Sequence, residues 1–229
     1  MRMADPLALS RLLQLASPLL PVGAYSYSQG LEWAIEAGVV KDAVTAQRWV
    51  GDVLELYLCK FEMPILQRLC AAWEANDEVA IKEWHDCFCA GRDGAEARAE
   101  TLQMGYSLVR LLQELDGFSP DLLARLRRHP SIAFPLAYAC AVSTWQIPVK
   151  DALHAYAWSW AENQVSAAMK AVPLGQVAGQ RMLMVLGETI PAALEKACSL
   201  QDDALSNFAP GLAIAGCKHE MQYSRIFRS

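Results

Sequence analysis

No Gly-x4-Gly-Lys-Ser/Thr run occurs in the 229 residues, so the chain should not hold a nucleotide through a P-loop. The glycines of Leu174-Gly175-Gln176-Val177-Ala178-Gly179 lack both the lysine and a preceding strand. A Gly-x-Ser-x-Gly elbow is missing too, because Gly23-Ala24-Tyr25-Ser26 has no closing glycine. Four scattered histidines supply no nucleophile–base–orienter set. Basic charge is equally short: 20 Lys and Arg against 25 Asp and Glu leave a net −5, which excludes a nucleic-acid footprint. Seven cysteines, an odd number without a framework, read as reduced thiols of a cytoplasmic protein, most of them small core residues. An uninterrupted hydrophobic run long enough to span a bilayer is absent as well. Leu12–Val22 is broken by Gln14 and two prolines and has no clean cleavage site. Residues 131–149 carry no formal charge, but Pro135, Pro148, Ser143, Thr144 and Gln146 make them a buried core helix rather than a membrane span.

What remains is helix. Apolar residues make up 54% of the chain and recur in steps of three and four, as in Ala46, Trp49, Val50, Val53, Leu54, Tyr57, Leu58 and Phe61. No alternating β-branched run argues for a strand. Asp5-Pro6 opens a first helix that stops before Pro18. A long helix from about Asp42 should break at Pro64 and resume to Trp73. Further helices are expected over 77–89, 95–115, 120–128, 134–146, 149–172, 174–188 and 191–200. With short connections and no repeat or linker, residues 1–229 read as one compact, bundle-like all-α domain of about nine or ten helices.

The stretch Leu20-Pro21-Val22-Gly23-Ala24-Tyr25-Ser26-Tyr27-Ser28-Gln29-Gly30-Leu31-Glu32 stands apart from that pattern. Pro18 and Pro21 hold the approach extended. Ser26-Tyr27-Ser28-Gln29 fits a capping box for a helix running to Gly38. Capping accounts for Ser26 and Gln29 and leaves Tyr25, Tyr27 and Ser28 unexplained, so a purely structural loop and a presented surface both remain open.

His85, Cys87 and Cys89 look like a metal cluster, but helical residues two apart point about 200° apart, so core thiols with a partly exposed histidine are expected instead. Cys217 and His219 fall in what reads as a non-helical tail, where two ligands can converge on a weak or shared site. In Met169-Lys170-Ala171-Val172-Pro173-Leu174-Gly175-Gln176 the proline ends a helix and leaves Lys170 in its last turn, a favourable place for a cation. The chain then closes on Cys-Lys-His-Glu-Met-Gln-Tyr-Ser-Arg-Ile-Phe-Arg-Ser, residues 217–229. Met221, Tyr223, Ile226 and Phe227 among Arg225 and Arg228 are hot-spot types, so this tail reads as an exposed docking peptide rather than a packed terminal helix.

The loop 20–32, the Lys170–Gln176 segment and the tail His219-Glu220-Met221-Gln222-Tyr223-Ser224-Arg225-Ile226-Phe227-Arg228 together resemble the UreF family of urease accessory proteins. Arg98-Ala99-Glu100-Thr101 before Met104-Gly105 adds to the likeness, which spans nearly the whole chain. Tyr25 stands where the family more often has phenylalanine. The resemblance implies an all-α homodimer that is not an enzyme and needs no cofactor. It implies a bridge between a UreD (or UreH) partner and the nickel-carrying GTPase UreG, acting on urease apoprotein to help install nickel, with a role in controlling the GTPase. It makes Tyr25, Ser26, Tyr27, Ser28 and Glu32 a presented surface, Lys170 part of the GTPase-facing side, and residues 219–228 a partner contact. Two other readings stand beside it: a nickel carrier in its own right, and an all-α enzyme with a buried metal or cofactor.

Overall fold

The computed structural model describes residues 5–229, and among them there is no β-strand. Helices α1 (Pro6–Ala16), α2 (Leu31–Glu36), α3 (Ala43–Val53), α4 (Met63–Ala75), α5 (Glu78–Ala90), α6 (Ala95–Glu114), α7 (Pro120–Leu126), α8 (Phe134–Thr144), α9 (Val149–Ala171), α10 (Gln176–Ser199) and α11 (Pro210–Glu220) surround one continuous core. Local chemistry starts several of them. Asp5 accepts from Leu7 N, Asp77 from Val79 N and Ala80 N, and Ser119 from Leu122 N, each satisfying amides that an α-helix leaves free. Asp42 and Thr45 form a reciprocal capping box.

At the centre lies α8, buried from Phe134 to Val142 and packed on α4 and α6. It fills the segment whose lack of charge raised the membrane question, and no helix among the described residues is long and apolar enough to cross a bilayer. Gly105 lets α6 approach this layer: a β-carbon there would stand 2.0 Å from Ile132 O. Beside it, Thr101 Oγ1 accepts from Phe134 N at 3.2 Å and caps α8.

Two expected helix breaks are overturned. The helix from Ala43 to Ala75 is continuous, because Leu54–Glu62 widen into π-helix ahead of Pro64. Proline has no amide to offer the carbonyl four residues back. That carbonyl, Lys60 O, accepts instead from Ser206 N at 3.1 Å and pins the segment leading to α11. Helix α10 likewise runs through Pro191, whose ring faces solvent. Beyond it Ala193, Leu194 and Ala197 are buried, and their burial offsets the roughly 3 kcal/mol that an interior proline costs.

The His85 expectation is reversed in its exposures, although Cys87 does point away from the other two, as helix geometry requires of residues two apart. His85 is 2% exposed, Cys87 faces solvent, and Cys89 is half-buried with Sγ 3.4 Å from His85 Nε2. The cause is the i,i+4 face that His85 and Cys89 share towards α8. His85 Nε2 accepts from Ala133 N at 3.2 Å, at the entry to α8. Burial, seconded by neighbouring His129, pushes this imidazole down to about 4. A folded value below the unfolded 6.5 means the unfolded chain binds the extra proton first. Stability from neutral His85 is therefore full above about pH 6.5 and is lost as pH falls towards 4, on the order of 3 kcal/mol. Thermal melts should drop by about 5–10 °C between pH 7 and 4.5, and a flat profile would contradict this assignment.

Candidate partner-binding site

The loop of residues 17–30, α2, the start of α6, the end of α9 and α11 converge at one end of the molecule, and residues 221–229 lie across them as a strap. The tail expected to be non-helical continues α11 to Glu220, where Glu220 Oε1 accepts from Ala95 N and Glu96 N at 2.6 and 3.1 Å. One helix thus caps the next. His219, 0% exposed, sits between Glu96 Oε2 at 2.7 Å and Glu32 Oε2 at 3.2 Å. Arg225 pairs with the other oxygen of Glu96, and the Glu32 carboxylate accepts from Ile226 N and Phe227 N. Ser229 O accepts from Ser28 N, Ser28 Oγ and Gln29 N, while Ser229 Oγ donates to Glu100.

The opening loop turns out to be the seat for this strap. Ser26 does not cap α2: its hydroxyl donates to Gly23 O at 2.6 Å, and Ser28 Oγ meets Glu32 N instead. Gln29, with φ +53°, donates from Nε2 to Glu100 and accepts at Oε1 from Trp160 Nε1. Gly30 at φ +78° is the N-cap, and a β-carbon there would lie 2.9 Å from Gly216 N. The glycine is required twice, by its backbone conformation and by the close passage of α11.

Placement of the sequence-derived candidates follows from this seat. Tyr27, Ser28, Glu32, His219 and Phe227 are buried, so the expectation of a freely presented loop with Glu32, and of an exposed Phe227, is corrected. Burial wins because Glu32 and Ser28 supply the acceptors and donors that the strap backbone needs. Gln222 and Glu220 are partly buried, and Ser26 is partly exposed. Tyr25 (66% exposed), Met221 (84%) and Ile226 (67%) face solvent with Tyr223, Arg225 and Arg228. Lys170 joins them, its Nζ 5.8 Å from the Tyr25 ring centre and 5.7 Å from that of Phe227. Cys217 and His219, two apart on α11, do not converge: one is exposed and the other buried. Among the described residues no group of three or more His, Cys, Asp or Glu is placed to hold a metal ion.

Sequence reasoning missed what lies beneath. A cavity of about 400 Å³ opens below Tyr25, walled by Leu20, Val22, Met169 and Leu183 and floored by Glu62 and Arg92. That buried pair is joined by Tyr57, whose hydroxyl accepts from Arg92 Nη1 at 2.8 Å, and by Tyr156, which donates to Glu62 Oε2 at 2.8 Å. Burial raises both tyrosines and also Glu100, the latter opposed by Arg92. Buried charges with no local motif between them give a sequence reader no signal.

Fold and site define an all-α protein that clamps its own C-terminal segment and turns a mixed apolar and cationic surface outward. The UreF family model matches residues 40–187. The urease accessory protein UreF of Methylobacillus flagellatus is 56% identical over 227 residues, covering 99% of this chain and 100% of that protein. Its counterpart in an Azoarcus species is 56% identical over 225 residues (97% of this chain, 96% of that protein), and that of a Janthinobacterium species 50% over 222 (97% and 98%). The chain belongs to the UreF family of urease accessory proteins.

Proposed function

We propose that this chain is a non-enzymatic, cytoplasmic scaffold of urease maturation. It bridges a UreD/UreH-type accessory protein and the nickel-carrying GTPase UreG, and helps deliver nickel to urease apoprotein while influencing GTP hydrolysis by UreG. The observation that carries the reading is the outward set Tyr25, Lys170, Met221, Tyr223, Ile226 and Arg228 on a chain of this family. Aromatic, Met and Arg side chains left in water on a rigid seat are the types that dominate interface energetics. Residues 221–228 are assigned to the UreD-type partner and Lys170 to the GTPase side. The protein acts as a homodimer, and the contact is assigned to the apolar groove beside exposed Leu9 and Leu13, lined also by Ile147, Ala155 and Trp158.

Without a phosphate-cradling loop, the isolated chain should give no heat of GTP binding by isothermal titration. Micromolar affinity would contradict the scaffold assignment. Lys170→Glu should leave the melting transition nearly unchanged, since an exposed cation–π contact contributes about 0.5–1 kcal/mol. At an interface a reversed charge can cost several kcal/mol, so capture of UreG by the variant should fall below detection. Capture equal to wild type would remove Lys170 from the GTPase side.

A further inference from the structure

The cavity below Tyr25 has one polar side and one apolar side. On α9, Ser159, Glu162, Ser166 and Met169 recur in steps of three and four and share a face, and Gln176 and Gln180 join it from the start of α10. Leu15, Leu20 and Val22 supply apolar surface from α1 and the loop after it. Aromatic rings border the same space: Tyr25, Trp160, and Phe134 stacked on Tyr156 with ring centres 5.9 Å apart.

The charges are one-sided. Glu62, Glu100 and Glu162 line the cavity against one basic residue, Arg92. Arg92 is already engaged: Nη1 donates to Tyr57 and Glu62, and Nε and Nη2 donate to Ala97 O. Glu62 is taken by Arg92 and Tyr156, and Glu100 by Gln29 and Ser229. Glu162 differs. It is half-buried, and burial raises its carboxyl with no cation beside it to oppose the shift. Lys170 does not line the cavity; its ammonium lies over the rings of Tyr25 and Phe227.

We propose that this cavity binds an organic cation, a guanidinium or alkylammonium head on an apolar stem, with Glu162 as its counter-ion. A half-buried carboxylate without a partner is matched best by such a head, which only donates. Ser166 and Gln180 offer further acceptors, and the aromatic rings attract a cation through their faces. The stem runs along Leu20, Val22 and Met169, as the stems of Lys and Arg cover apolar surface elsewhere. A volume of about 400 Å³ falls within the roughly 300–1,000 Å³ of small-ligand sites. Among the described residues no group of three or more His, Cys, Asp or Glu is placed for a metal ion, so the charge is carried on an organic group. A free amine or guanidine and the Arg or Lys side chain of another protein share this chemistry.

The test titrates the full chain, labelled with 15N-tryptophan, with butylguanidinium and with N-acetyl-arginine N-methylamide. The matching citrulline derivative, equal in shape and uncharged, is the control. The Trp160 indole signal should shift saturably, while that of Trp73, which does not line the cavity, stays in place. The citrulline probe should bind roughly tenfold or more weakly, and Glu162→Gln should weaken butylguanidinium by a similar factor. Saturation by the blocked arginine assigns the occupant to a basic side chain of another protein, and saturation by butylguanidinium alone to a free small cation. No saturable shift of Trp160, or equal binding of the charged and uncharged probes, overturns the proposal, as does undiminished binding to a folded Glu162→Gln chain. Should that variant melt below wild type, the charged and uncharged probes on the wild-type chain decide alone.

Discussion

A chain truncated after Gly216 is expected to lose its cooperative melting transition, because the removed residues close the structure from within. Burying the Phe227 side chain contributes roughly 1.5–3 kcal/mol. Glu220 caps α6, and such caps contribute about 0.5–2 kcal/mol. Without Ser229 and His219, buried Ser28, Glu32 and Glu100 are left with unmet hydrogen-bonding atoms at about 1–3 kcal/mol each. The sum reaches the 5–15 kcal/mol that holds a whole domain together. This reverses the outcome a free docking peptide would give. Circular dichroism and calorimetry on the truncated and full-length chains decide it, and a truncated chain melting like the full one would show that the strap adds nothing to the fold.

Arg92→Ala should cost about 3–5 kcal/mol, with the melting temperature falling by about 6–20 °C. The substitution leaves Glu62 buried beside Tyr57 and Tyr156 without its paired cation, and it removes from Glu100 the positive charge of Arg92 that opposes its burial. The double variant Glu62→Leu/Arg92→Leu should recover much of the loss, because replacing both members of a buried pair by apolar groups is often close to neutral. Equal melting of Arg92→Ala and wild type would mean that the pair is not formed in solution. A double variant as unstable as the single one would mean that the cost is one of shape rather than of charge.

Helix positions were largely legible because their causes are local. Asp5-Pro6, Asp42 and Asp77 announce starts through side chains that reach amides two or three residues on, and the apolar period names the buried face. The breaks expected at Pro64 and Pro191 failed because packing outweighs a local penalty, by widening the helix in one place and by turning the ring to water in the other. The site was legible by composition and not by arrangement. Tyr25, Met221, Tyr223 and Ile226 do stand outward, as hot-spot residue types suggested. Glu32 and His219, however, are 187 residues apart, and the Glu32 carboxylate takes backbone amides that leave no trace in side-chain identity. A strap that buries its polar groups and exposes its apolar ones has no periodic signature.

The central claim is that this chain is a bridge, and its most direct measurement is co-expression with a UreD-type protein and the GTPase UreG, followed by size-exclusion chromatography with mass determination. One peak containing all three proteins, which loses the GTPase when Lys170 is changed to Glu and keeps the UreD-type partner, is the predicted result. Elution of this chain apart from both proteins, at the mass of its own monomer or dimer, would contradict it.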